Sequence, residues 1–255
     1  MTMALDIVTV PCLNDNYAYL VKAPDGVCII DAPEAAPIIA AAEARGWEPG
    51  VLMITHHHHD HVGGLDALKS RFGLMTMGPA AEKARLPPLD HYLNPGDTGG
   101  DGPAHTIAME VGGHTLGHMA FHFDQAGAVF TADSLMAFGC GRVFEGTYDQ
   151  MFDSLRKLAA LPPDTMVYSG HEYTAANAKF ALTIEPQNEA LISRVEAVKA
   201  ARAANRPTAQ VRLSEELDTN PFLRSHVPQV AENLGMQGVS PAEVFAEIRR
   251  RKDAF

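Results

Sequence analysis

Nine short apolar runs separated by turn signals punctuate the first 170 residues: DIVTV, YAYLV, GVCIIDAP, VLMIT, LMTMGP, HTIAMEV, MAFHF, AVFTAD and TMVYSG. Their length and their β-branched and aromatic content are those of strands. Helical stretches such as APIIAAAEARG and GLDALKSRFG fall between several of them. A chain that interleaves the two periods has to cover sheets with helices, which predicts a layered α/β domain. After His171 the pattern changes: FALTIEPQNEALISRVEAVKAARAAN reads as long amphipathic helix without strand punctuation. The tail SPAEVFAEIRRRKDAF opens with a helix start, Ser240 as cap, Pro241 in the first turn and Glu243 completing a capping box. The expected division is a layered domain over 1–171 and a helical domain over 172–255.

A chain of 255 residues, 46% hydrophobic and 20% charged, is long enough for one large domain or for a core domain plus a smaller one. Its formal charge of -11 argues against general nucleic-acid binding, which needs a basic face to displace counterions from phosphates. An anionic substrate would need a local basic patch. Cys12, Cys28 and Cys140 form no CxxC pair, and their odd number suits a reduced compartment. The amino-terminal stretch MTMALDIVTVPCLNDNYAYLV lacks the features of a signal peptide, and no apolar run approaches the roughly 20 residues that cross a bilayer. The expectation is a cytoplasmic protein without nucleic-acid or membrane partners, and a monomer.

The densest chemistry lies in Thr55-His56-His57-His58-His59-Asp60-His61-Val62-Gly63-Gly64, directly after the apolar run Val51 to Thr55. Alternate side chains leaving an extended strand end point the same way, so two histidines spaced by one residue can converge on an ion. Imidazoles and a carboxylate suit zinc or another borderline divalent metal. Spacing alone leaves open His56 with His58 or His57 with His59. Three further loops, each after a strand candidate, offer donors: Gly113-His114-Thr115, Thr131-Ala132-Asp133-Ser134 and Ser169-Gly170-His171-Glu172. One such residue alone is more often a loop histidine or a capping aspartate. Recurrence at successive strand ends favours a metal site.

The pattern T-H-x-H-x-D-H-x-G-G, followed by GHTLGH, FTADSL and GHEYT, resembles the metallo-β-lactamase superfamily. The resemblance implies an αββα sandwich with a C-terminal α-helical domain, and two divalent ions, zinc first, with iron and manganese also compatible. It assigns His56, His58 and His114 to one ion and Asp60, His61 and His171 to the other, with Asp133 bridging. Within that superfamily, VPCLNDNYAYLV, GCGRVFEGT, GHEYT, IEPQN, NPFLR and IRRRKDAF are similar to glyoxalase II over essentially the whole chain. The implied activity is hydrolysis of S-D-lactoylglutathione and other S-(2-hydroxyacyl)glutathione thioesters, the second step of methylglyoxal detoxification.

Two cations roughly 3.5 to 4 Å apart share a water and lower its pKa, so no serine or cysteine nucleophile is required. Asp133 and Asp60 are the carboxylates of that expected catalytic centre. Asp31, ending GVCIIDAP, is either an orienting partner for a ligand or an ordinary turn former. His118 is expected to support its loop. For the glutathione moiety the resemblance implies Arg142, Phe144, Tyr173, Arg249 and Lys252, where Arg142 and Phe144 replace the Lys and Tyr of the animal-type pattern. Arg249 and Lys252, three apart on a helix, share a face. A persulfide dioxygenase of the same fold, with one iron, is the nearest alternative; Asp60, His61, His171 and the basic tail favour hydrolysis.

Overall fold

The computed structural model describes residues 5–255. The first four residues of the amino-terminal stretch read above lie outside the described residues. The chain divides into two compact units, Met1–Glu110 with Leu116–Thr131, and Val111–Thr115 with Ala132–Phe255.

In the first unit, β1 (Asp6–Cys12), β2 (Asn16–Ala23), β3 (Gly26–Ile30), β4 (Val51–Met53), β5 (Met75–Pro79) and β6 (His91–Leu93) form one sheet in that order. Pairing is antiparallel from β1 to β3 and parallel from β3 to β6. Parallel neighbours need crossovers, and these carry α1 (Ala35–Glu43), the single turn α2 (His59–Val62) and α3 (Leu65–Phe72). A second, antiparallel set runs β7 (Thr98–Gly99), β8 (Thr106–Glu110), β9 (Met119–Phe123), β10 (Ala128–Ala132).

Two-residue periodicity decides which face each strand residue serves. Ala18, Leu20, Ile29, Leu52 and Ile54 pack with Ile38 of α1 and Leu65 and Leu68 of α3. Burial of each large aliphatic side chain is worth about 1.5–3 kcal/mol. Their alternates face the second set of strands, where the Tyr19 and Phe130 rings lie 5.3 Å apart. β4 is shorter than the Val51 to Thr55 run. Its ladder ends at Met53, although Ile54 N still bonds Met77 O at 2.8 Å.

The second unit contains the hairpin β11 (Leu135–Met136) and β12 (Gly139–Cys140), then α4 (Tyr148–Ala159), β13 (Met166–Ser169), α5 (Thr174–Ile184), α6 (Glu189–Ala203), β14 (Gln210–Arg212), α7 (Leu213–Thr219), α8 (Pro228–Leu234) and α9 (Pro241–Ala254). Two features correct the sequence reading. The long helix expected from Phe180 to Asn205 is broken at 185–188. Pro186 has no N–H for the ladder, and Asn188 restarts the helix by accepting Leu191 N at 3.1 Å. The stretch after His171 also contains a strand, β14, whose Val211 pairs with Val167 of β13. The helix start of α9 is as expected, with Ser240 and Glu243 in a reciprocal capping box.

Buried polar groups tie this unit together. Glu216, fully buried, accepts Phe138 N at 3.0 Å and Asn220 Nδ2 at 2.8 Å and pairs with Arg194. Arg224 forks onto Glu185 with Nε–Oε2 and Nη2–Oε1 at 2.9 and 3.0 Å. The IEPQN and NPFLR segments are thus joined by a charge-assisted clamp. No helix among the described residues is long and apolar enough to cross a membrane.

Candidate metal centre

In the first unit the chain leaves β4 extended and then turns into α2. His58 has φ −59 and ψ 143, and Asp60 and His61 follow in the helical turn. Ligand atoms of His56 and His58 come within 4.8 Å of one another, as do those of His56 and His61 and those of Asp60 and His61. His57 is occupied elsewhere: its N–H and its Nδ1 reach Glu82 Oε2 at 2.7 and 2.6 Å. His59 is exposed. His118 stacks on His56 with ring centroids 4.7 Å apart.

The groups behind these ligands determine which nitrogen each ring offers. Asp31 Oδ2 lies 2.7 Å from His61 Nδ1, so the carboxylate takes that N–H and Nε2 keeps its lone pair for a metal. Asp31 also accepts Thr55 N and Thr55 Oγ1, both at 2.8 Å. With its proton committed to Asp31, the Thr55 hydroxyl accepts from His56 Nδ1 at 3.1 Å. One carboxylate therefore sets two rings, and Asp31 does more than form a turn. Its positive φ of 58°, which aspartate tolerates better than most residues, aims it there.

Two organising residues were absent from the sequence reading. Glu82, 3% exposed, bonds Gly117 N at 3.1 Å as well as His57. A Cβ at Gly117 would come within 2.6 Å of Glu82 Cγ, so glycine is required for that approach. Asn16 Nδ2 holds Asp60 through its carbonyl and its Oδ2, at 3.1 and 3.0 Å. The available signals were an Asn inside the LNDNY motif and a Glu three residues after the LMTMGP run.

In the second unit Asp133 follows Ala132, whose φ of 41° turns the chain sharply at the end of β10. Asp133 Oδ2 lies 3.3 Å from His114 Nε2, and its Oδ1 lies 3.3 Å from His171 Nε2. Each carboxylate oxygen thus faces a different imidazole. His114 Nδ1 donates to Arg142 O at 2.8 Å, again leaving Nε2 as the ligand atom. Gly170 N bonds Ala132 O at 3.0 Å, tying the His171 loop to the Asp133 turn. At Gly141, just after β12, a Cβ would meet Asp133 O at 1.9 Å, so only glycine lets the chain pass. Buried imidazoles with committed Nδ1 protons, together with carboxylates, are the donor set of a divalent-metal centre, and the residues present fit such ions.

The residues assigned to glutathione differ in environment. Phe144 and Tyr173 are 60% and 40% exposed, and Tyr173 stacks on His171 at 4.7 Å. Arg142 is exposed and its Nε bonds Asp253 Oδ1 at 3.2 Å. Arg249 is buried, with Nη1 on Cys140 O and Nη2 on Asp253 Oδ1, both at 2.9 Å. Lys252 Nζ lies over the Phe180 ring at 5.3 Å. Burial first, and then the Arg249 charge, pull its pKa below the ordinary 10.5.

Residues 14–171 match the family described as the metallo-beta-lactamase superfamily. A solved B3 metallo-β-lactamase, BLEG-1, superposes with a TM-score of 0.66 at 20% identity, over 86% of this chain and 99% of that one. The structure of ETHE1 from Myxococcus xanthus gives 0.65 at 21%, over 97% and 90%. The fold and the His and Asp donor set are those of a metallo-β-lactamase-fold protein. Residues 172–255 match the family described as hydroxyacylglutathione hydrolase C-terminus. The chain is 57% identical to a hydroxyacylglutathione hydrolase of Jannaschia sp. (strain CCS1), over 98% of both chains. It is 55% identical to one of Ruegeria pomeroyi, over 99% of this chain and 100% of the relative. The chain belongs to the hydroxyacylglutathione hydrolase family, a family of metal-dependent hydrolases.

Proposed function

We propose that the chain hydrolyses S-D-lactoylglutathione, and related S-(2-hydroxyacyl)glutathione thioesters, to the free 2-hydroxy acid and glutathione. Membership of the family supports the substrate class. The observation that carries the chemistry is Asp133, whose two oxygens each face an imidazole Nε2 at 3.3 Å. We assign His56, His58 and His114 to one divalent ion and Asp60, His61 and His171 to a second, with Asp133 shared; zinc is the first choice for both, and iron or manganese suit the same donors. Two such ions, when bound, would supply a water acidified toward neutral pH and a Lewis-acid hold on the thioester carbonyl.

The protein's own residues keep that chemistry in place. Asp31 and Thr55 fix the rings of His61 and His56, Asn16 fixes Asp60, and Arg142 O fixes His114. In the net reaction, water is added across the C–S bond of the thioester, which gives the 2-hydroxy acid and glutathione, the departing thiolate taking its proton from solvent. A thiolate leaves readily, so no residue is assigned as its acid. Lys252 and Arg142 supply the cations for the glutathione carboxylates, and Tyr173 and Phe144 supply its apolar wall. Buried Arg249 acts by holding Asp253 against Arg142.

In this reading 1–171 carries the chemistry and, through Arg142 and Phe144, part of the tripeptide site, and 172–255 supplies its other contacts. We further place the protein in the cytoplasm as a monomer, in keeping with its three free thiols and its bacterial relatives.

The test is loss of thioester absorbance with S-D-lactoylglutathione under anaerobic conditions, before and after chelation and metal restoration. Turnover that disappears with chelator and returns with metal is expected. A fully metallated protein that leaves the thioester intact, or one iron per chain with oxygen consumption, would overturn the reading. Asp133→Ala should lose most turnover and retain at most one ion.

A further inference from the structure

Within the first unit, the space between the two sets of strands is not filled evenly. At the end where β4 delivers His56, Tyr19, Ile30 and Phe130 are buried, 1–2% exposed, and the Tyr19 and Phe130 rings touch. At the opposite end, where β3, β4 and β5 begin, lies a cavity of about 630 Å³. Its walls are the inward faces of both sets: Val51, Met53, Met75, Met77, Phe121 and Phe123. The volume is within the roughly 300–1,000 Å³ of small-molecule sites. The three methionines are unbranched and polarisable, and so adapt to varied apolar shapes. Met75 remains 41% exposed at the opening.

The charged residues of this cavity are of one sign. Asp25, Glu48 and Asp97 line it and are exposed, and no Lys, Arg or His does so among the described residues. Asp97 is fixed in place by Asn94 N, which donates to its Oδ2 at 2.7 Å. The negative potential reaches inward: burial, and after it the Asp25 charge, push the Cys28 thiol on the cavity wall up to about 12. An apolar interior under an acidic rim discriminates among amphiphiles by the sign of the head group. It disfavours a fatty acid or an anionic conjugate and favours an amine.

We propose that this cavity binds one small amphiphilic cation, with its apolar body between the strands and its ammonium group among Asp25, Glu48 and Asp97. The site lies at the strand ends remote from His56, so it is independent of the hydrolytic reading above.

Octyltrimethylammonium, octyl sulfate and octyl glucoside, each below its micelle-forming concentration, are titrated calorimetrically into the metal-loaded full chain. The expected result is saturable binding of one octyltrimethylammonium per chain. Octyl sulfate should bind roughly fivefold or more weakly, because each surface carboxylate changes the affinity by up to about a factor of five. Substituting Asp25→Asn, Glu48→Gln and Asp97→Asn together should remove the preference for the cation while leaving octyl glucoside unchanged. Val51→Trp, which fills the cavity, should abolish binding of all three in a chain whose circular dichroism melt shows that it is folded. Absence of saturable binding, equal affinity for cation and sulfate, or unchanged binding in the folded Val51→Trp chain would overturn the proposal. So would a dimer, seen by sedimentation, that the three-carboxylate variant or Val51→Trp disperses, since a second copy would then be the occupant. If Val51→Trp does not fold, the three-carboxylate surface variant decides alone.

Discussion

Asp31 and His61 form a buried pair, Oδ2 to Nδ1 at 2.7 Å, in which the carboxylate fixes the ring while its second oxygen holds the Thr55 backbone. Loss of such an outer partner typically costs 10–100-fold in metal affinity or activity. Asp31→Ala is expected to lower metal retention in competition with a chelator by roughly that factor. Because Thr55 relays the same carboxylate to His56, both rings should loosen. Metal content per chain after dialysis is the measurement; full retention would show that Asp31 is only a turn former.

Glu82 makes a different prediction, one about folding. Its carboxylate accepts His57 N, His57 Nδ1 and Gly117 N while almost wholly buried. Leaving buried donors unmatched costs about 1–3 kcal/mol for each group. Glu82→Ala should therefore destabilise the chain by about 3 kcal/mol in urea unfolding, with Glu82→Gln losing less. An unchanged urea midpoint in Glu82→Ala would mean that the His57 loop is held by other groups.

Lys252 is the cation for which pH gives a separate readout. Burial lowers its pKa from 10.5, so as pH rises it loses its charge before an ordinary lysine does. KM for the glutathione thioester should then rise on the alkaline side, beginning below pH 10.5, with kcat little changed. Lys252→Ala should raise KM at neutral pH and remove that alkaline rise. By linkage the sign for stability is opposite: the unfolded chain binds the extra proton in this window, so folding gains as pH increases through it. A KM unaffected by Lys252→Ala would place the glutathione elsewhere.

Asp90 should mark the acid limb of stability. Lys69 Nζ at 2.8 Å, then Thr76 N and Oγ1 at 2.8 Å, hold its pKa well below the usual carboxylate range. A depressed carboxylate contributes fully above its unfolded pKa near 3.9 and is lost as pH falls through the folded value. Asp90→Asn should lower Tm at neutral pH and flatten the fall of Tm below about pH 4. Parallel Tm profiles for the two chains would contradict this.

The candidate His and Asp donors were readable because they sit in contiguous motifs at strand ends, where a few residues carry both the donor type and the local geometry. The break at Pro186 was also written in the chain, yet the helical periodicity on both sides obscured it. β14 was not legible: Gln210–Arg212 is too short to show a period, and it is a strand because β13 offers it a partner.

By itself the sequence determined the alternation of strands and helices over the first 170 residues, the apolar and polar faces of the strands, the helix start at Ser240, and which histidines and aspartates are available as ligands. These follow from local periodicity and donor chemistry, which act between near neighbours. The tertiary structure alone decided which partners complete them. Glu82 meets His57 across 25 positions, Asp31 meets His61 across 30, and Arg249 meets Cys140 across 109. It also decided that Arg249 is buried against Cys140 and Asp253 and that the strands leave an acid-rimmed cavity at one end. Hydrophobic alternation states which way a side chain points, but how completely two faces fill the space between them depends on side-chain volumes meeting across the fold.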